Sequence, residues 1–311
     1  MTPRLVGISP WFPGSLGRWR WLNEPVAAER MAAFRIVVAV SLLVDILFCY
    51  LPAFTVFFSP DALGGRDIYP PRWREGSVFW SILRWLPEEW GPAALFGAWL
   101  ASAIALLVGW RPLVSGLIAW GCAVSVWTIH PTLHNGGDRM RTVVLLMAAM
   151  SCSGAVWGVS SVRSTNDRRP VLVPGWPMKV VILQLCLLYF FGGWYKIVCP
   201  SWQSGYAMYY IANDLTWTNT PALMSLLPLP LHQLSAWATL VWELGFPIFI
   251  LMKGTRAVTL WIGVFFHVAT FFTLEVGCFA FYSLAGYVLF VPWERYFRSQ
   301  SEVGQSPAAT A

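Results

Sequence analysis

Long apolar runs separated by short polar breaks organise the chain. A helix needs about 20 apolar residues to cross a bilayer, with a range of roughly 17–25. Eight runs reach that length, at about 31–51, 91–109, 113–129, 142–159, 179–198, 234–252, 257–274 and 276–292. The pattern predicts an all-α fold, a polytopic membrane helix bundle of about eight spans. Gly109-Trp110-Arg111-Pro112 reads as a hairpin turn between the second and third runs, because the residue before a proline is pushed out of the helical region. Two amphipathic stretches, 76–86 and 202–212, are too short to span and are expected to lie in the interface. Residues 1–29 are polar and lack the apolar core of a signal peptide, so the first run is expected to stay as an anchor. The predicted division is a cytoplasmic segment 1–29, a transmembrane domain 30–293, and a cytoplasmic tail 294–311. The tail is rich in small and polar residues and is expected to be disordered.

Composition agrees with a membrane chain. Hydrophobic residues make up 57%, charged residues 12%, and mean hydropathy is +0.57. A soluble domain carries about 25% charged residues. The 20 Trp and 20 Phe gather at the edges of apolar runs, as in interfacial aromatic belts. The net charge of +6 comes from Lys and Arg spread over short loops, which act as topology signals and form no nucleic-acid patch. With the N-terminus inside, fourteen of these residues fall on inner segments and six on outer loops. The positive-inside rule then places both termini in the cytoplasm. The six cysteines form no CxxC pair, and His130 and His134 lack metal-site spacing, so no metal is expected.

An ionisable group inside a bilayer costs about 2.5–3.5 kcal/mol on insertion scales and marks a functional site by default. Here the group comprises Asp45, Lys196, Glu243 and His267, with Asp138, Arg139, Arg141 and Glu275 at the edges. In the predicted topology most of them lie in the outer half of the membrane, which points to one polar pocket opening outward. Structural roles stand beside this reading. Asp45 and Glu243 can lock helices by pairing with Lys or Arg, and His267 can be a neutral core histidine. Lys196 can snorkel to the interface, Arg139 and Arg141 can anchor at headgroups, and His232 reads as an edge residue. Burial disfavours an ammonium, which is how enzymes turn lysines into bases, so Lys196 is also a candidate general base. A transporter is disfavoured, since no inverted repeat and no polar path through the inner half are visible.

One segment is more specific. Tyr189-Phe-Phe-Gly-Gly-Trp-Tyr-Lys196, followed by Trp202-Gln-Ser-Gly205, resembles the motif lysine region in the membrane part of vitamin K-dependent gamma-carboxylases. Bacterial HTTM (horizontally transferred transmembrane) proteins share that region. Further resemblances follow in order: Trp242-Glu243-Leu-Gly-Phe, Phe265-Phe266-His267 with Gly277-Cys-Phe279, Asn135-Gly-Gly-Asp138-Arg139, and Phe34-Arg35-Ile36. Asp138 stands where the carboxylases carry an Asn-His pair.

The resemblance implies Lys196 as the base and His267 as a second catalytic residue. It implies Asp138, Arg139, Tyr189, Trp202 and Glu243 as substrate-binding residues. Reduced vitamin K or another quinol is the implied cofactor, with carboxylase-like lyase and quinol-epoxidation chemistry. The implied partners are the lipid bilayer, a lipid-soluble small molecule and a secreted peptide substrate, with no nucleic acid. The implied location is the bacterial inner (plasma) membrane, multi-pass. The alternative is a non-catalytic maturation or export factor for a secreted peptide, since the family includes maturation proteins of a sporulation-delaying toxin.

Overall fold

A computed structural model describes residues 3–7, 20–59, 81–129, 136–159, 161 and 169–296. The fold is helical, and four helices are long and apolar enough to cross a membrane: Ala28–Tyr50, Trp176–Ile197, Leu229–Leu251 and Arg256–Thr273. The apolar helices at Gly91–Leu107, Pro112–Thr128 and Phe279–Phe290 are shorter. The chain is an integral membrane protein, and its four long helices match four of the eight expected runs. His130, His134 and the tail beyond Tyr296 lie outside the described residues, as do residues 76–80 of the first amphipathic stretch.

The chain divides into two compact units. The first takes its residues from Met1–His134, Arg141–Val180 and Ala285–Ala311. Three short strands that hydropathy does not reveal form a sheet there: β1 (Arg4–Leu5), β2 (Val26–Ala27) and β3 (Val171–Val173), in the order β1-β3-β2. β1 runs parallel to β3 with Arg4 opposite Val171, and β2 runs antiparallel with Val26 opposite Val173. Helix α1 (Ala28–Asp45) follows directly, free of Gly and Pro. It packs on α2 (Gly91–Leu107), which turns through Gly109 (φ +71°) into α3 (Pro112–Ile129), as the turn signal predicted.

Helix α4 covers Gly136–Met150, so it starts before the predicted run 142–159 and ends well short of it. Cys152 is left-handed (φ +52°) and a short 3₁₀ turn follows at Ser153–Ala155. The carbonyls of Ser153 and Trp157 accept hydrogen bonds from the Arg35 guanidinium. Arg35 is fully buried. A Cβ on Gly109 would clash with Arg35 Nη1 and sit 2.8 Å from Gly158 Cα, so only glycine lets the turn close over that cation.

A second buried cation lies in the same unit. Arg141 bonds Asp45 at 2.6 Å and the Tyr50 hydroxyl at 3.1 Å, and its guanidinium lies over the rings of Tyr50 (4.9 Å) and Trp99 (5.4 Å). The Arg141 and Asp45 side chains are 1% and 3% exposed. Headgroup anchoring is therefore wrong for Arg141, and Asp45 takes the helix-locking role. One local distortion makes the arrangement possible. After Asp45 the helix runs through a π turn, Ile46–Tyr50. Residues five apart point about 140° apart in an α-helix, whereas π winding brings them toward one side. Asp45 and Tyr50 thereby reach the same guanidinium.

The second unit takes its residues from Asn135–Met140 and Val181–Leu284. It holds most of α5 (Trp176–Ile197), then α6 (Ala207–Asn213), α7 (Leu229–Leu251), α8 (Arg256–Thr273) and the start of α9 (Phe279–Tyr287). The loop after α6 is tied to the end of α8: Asn219 N–H donates to Thr273 at 2.9 Å, and Glu275 N–H donates to Trp217 at 2.9 Å. In the spans of α5 and α8 only 22% and 17% of residues are buried. The exposed residues on both include large apolar side chains such as Leu183, Phe191, Trp261 and Phe265, the faces a bilayer covers.

Candidate functional site

On α5, Tyr189, Gly192 and Lys196 follow one another at helical spacing and so share a face. On α7 the buried positions His232, Ala236, Leu240, Glu243, Phe246 and Ile250 form one stripe. On α8 the buried positions are Thr259, Gly263 and His267, four residues apart. These stripes are what pack α5, α7 and α8 around a common interior. Close contact between α5 and α7 depends on Gly193, where a Cβ would meet Leu244 Cγ at 2.9 Å and the Leu244 backbone nitrogen at 3.1 Å. Small residues at such crossings are the usual device of membrane helices.

Across this contact Lys196 Nζ donates to both oxygens of Glu243, each at 2.6 Å. The lysine side chain is 28% exposed and the glutamate 7%, so the nitrogen is the more accessible member. The Trp202 ring lies 5.3 Å from the ammonium and adds a cation–π contact. Trp202 belongs to the short turn Pro200–Gln203, which is held to α7 by Trp237 Nε1–H donating to the Gln203 carbonyl at 3.1 Å. One turn beyond Glu243, Pro247 has no N–H to give the Glu243 carbonyl.

A second polar pair lies in the same unit. The Tyr189 hydroxyl and His267 Nε2 are 2.6 Å apart. Tyr189 packs against Trp242 (4.6 Å between ring centroids) and Phe246 (4.3 Å), and His267 against Phe279 (5.5 Å). Tyr189→Phe is expected to lower stability by about 1–3 kcal/mol, because it strips a hydrogen bond from a buried imidazole. Thermal melting in detergent reads this, and a melting curve unchanged from wild type contradicts it.

The two pairs border a cavity of about 280 Å³. Tyr189, Gly192, Lys196, Trp202 and Glu243 line it, with Met208 and Ile211 from α6 and Phe266, Thr270 and Phe279 from the remaining helices. His267 is 0% exposed and reaches the cavity through Tyr189. Of the candidate residues read from the sequence, Lys196, Glu243, Tyr189, Trp202 and His267 come together here. Asp138 lies buried in the first turn of α4 and Arg139 beside it is exposed, and neither lines the cavity. The single polar pocket expected from the sequence resolves into two clusters, since Asp45 and Arg141 belong to the other unit. His232, expected at an edge, is buried against Tyr209. Cys199, just past α5, is hydrogen-bonded to Ser201 Oγ at 3.2 Å, which pulls its thiol below the ordinary cysteine range.

Comparison with known proteins identifies the context of this site. The HTTM domain family matches residues 69–294, which include every residue lining the cavity. The chain is similar to the sporulation-delaying protein SdpB of Bacillus subtilis, 23% identical over 52% of this chain and 53% of that protein. It is also similar to the uncharacterized protein YitO of the same organism, 25% identical over 38% of this chain and 40% of that protein. The chain thus matches about half or less of the length of these relatives. No solved structure matches the chain. The chain belongs to the HTTM domain family.

Proposed function

We propose that the cavity binds a lipid-soluble molecule carrying an acidic hydroxyl, of the quinol class that includes reduced vitamin K, and that the Lys196–Glu243 pair removes its proton. One observation carries this reading: a lysine and a glutamate 2.6 Å apart in a cavity whose walls are otherwise largely aromatic and aliphatic. The residues fit such a head group. The volume of about 280 Å³ accommodates a fused-ring aromatic, the Phe and Trp faces supply stacking surface, and the ion pair supplies a donor and an acceptor. When bound, a quinol supplies the reducing power that the carboxylases use to make a strong base from oxygen. The protein's own part is to hold the hydroxyl at Lys196, in the position of the family's motif lysine, and to keep water away from the reacting atoms. Tyr189, with His267 behind it, positions the ring.

In this reading residues 30–293 form a transmembrane domain of eight crossings in the bacterial inner membrane, with both termini in the cytoplasm. The test is epoxide formation by detergent-purified protein supplied with reduced vitamin K and oxygen. Wild type is expected to exceed Lys196→Ala by about 10²-fold or more, the contribution of a positioned proton-transfer pair. Equal rates sink the proposal.

The similarity to SdpB favours a second reading, a non-catalytic maturation or export factor for a secreted peptide, in which the same cavity binds without reacting. Deleting the gene and measuring secreted peptide discriminates. Loss of export that Lys196→Ala restores as well as wild type does favours this second reading.

A further inference from the structure

We propose that within the Lys196–Glu243 pair the glutamate takes the proton, while the lysine holds the oxygen that gives it up. The inference rests on the reading that this cavity deprotonates a hydroxyl, and it assigns the two halves of that step to different residues. Three features of the geometry carry it.

Lys196 donates to both carboxylate oxygens at the same distance, 2.6 Å. A nitrogen so engaged works as a donor and has no lone pair free to receive a proton. An ammonium has three N–H groups, so one remains for a ligand. Each oxygen of Glu243, in contrast, keeps acceptor capacity beyond its bond to lysine. The second feature is Gly192. A Cβ there would lie 3.5 Å from Glu243 Oε2 and 3.8 Å from Lys196 Nζ, and Gly192 lines the cavity. The missing side chain leaves space beside both atoms at once. A ligand hydroxyl entering that space can donate to Oε2 and accept from Nζ. The third feature is charge balance. The ligand O–H bond breaks and an O–H bond forms on Oε2, while the ligand oxygen keeps the electron pair and faces the ammonium. A neutral ligand beside an ion pair becomes a ligand anion beside an ammonium and a carboxylic acid. The net charge of the cavity is zero before and after, which matters where an unpaired charge is costly.

The test uses umbelliferone, an aromatic alcohol whose anion absorbs at longer wavelength than its neutral form. It is added to the full-length protein in detergent at a pH where it is neutral in water. Wild type is expected to show the anion band and, in the infrared difference spectrum, a new protonated-carboxyl band that is missing from Glu243→Gln. In a weakly buffered medium Glu243→Gln is expected to release one proton per probe bound, while wild type and Glu243→Asp release none. Gly192→Ala, whose Cβ makes only ordinary contacts, is expected to melt with wild type and lose the anion band. An anion band in wild type without the carboxyl band overturns the inference, as does an anion band in Glu243→Gln with no proton released, which makes Lys196 the acceptor. Both outcomes leave the proposed function standing. Absence of any anion band in wild type at saturating probe sinks the proposed function itself.

Discussion

Asp45→Asn is expected to cost about 3–5 kcal/mol, the cost of breaking a buried ion pair from one side. Folded proteins have only about 5–15 kcal/mol to lose, so the variant should melt well below wild type and aggregate more readily when extracted. The reason is asymmetric. The substitution leaves Arg141 in place, 1% exposed, held by the Tyr50 hydroxyl and two ring faces but facing a neutral amide. Removing both charges is a different matter, since apolar groups of similar volume often replace a buried pair at little cost. Asp45→Leu combined with Arg141→Met should therefore recover much of what Asp45→Asn loses. Melting followed by size-exclusion chromatography in detergent measures all three proteins. A single variant that melts with wild type, or a double variant worse than the single one, contradicts the assignment.

The second large effect is expected at Gly193. A Cβ at this position would already lie 3.1 Å from Glu243 Cβ and from the Leu244 backbone nitrogen, and a backbone atom cannot swing aside as a side-chain tip can. Gly193→Val adds two further methyl groups and should push α5 away from α7. Overpacking of this kind costs about 1–3 kcal/mol. The functional loss should be larger than the stability loss, because the Lys196–Glu243 contact crosses the same gap. Umbelliferone ionisation should disappear in Gly193→Val while the protein still elutes as a single species. A variant that keeps the ionisation shows that the helices can absorb the extra volume without moving the pair.

Parts of this site were legible in the sequence for a physical reason. The resemblance alone singled out Tyr189 and Trp202, but Lys196 is conspicuous because an ionisable group in an apolar run is costly. Glu243 and His267 were found in the same way. Their partners were not. Nothing local says that Lys196 meets Glu243, 47 positions away, or that Tyr189 meets His267. Arg141 was misread because its position at a run's edge fits a headgroup anchor as well as a buried cation, and only the fold brings Asp45 to it. The end of α4 was missed because hydropathy continues through residues 151–159 while the backbone turns left-handed at Cys152. Strands of two or three residues are too short to carry a periodic signal.

The π turn at Ile46–Tyr50 has a bearing on how this helix can change over time. A π turn holds one residue more than regular winding requires, so the helix carries a surplus that its contacts keep in place. A substitution at residues 46–50 alters one side chain. Loss of a single residue there would let the winding relax and rotate everything on one side of the turn relative to the other, separating the Tyr50 hydroxyl from the carboxylate that shares its cation. The segment should therefore vary hardly at all in length among relatives, and in composition mainly at its exposed positions 47–49, since Ile46 and Tyr50 are buried.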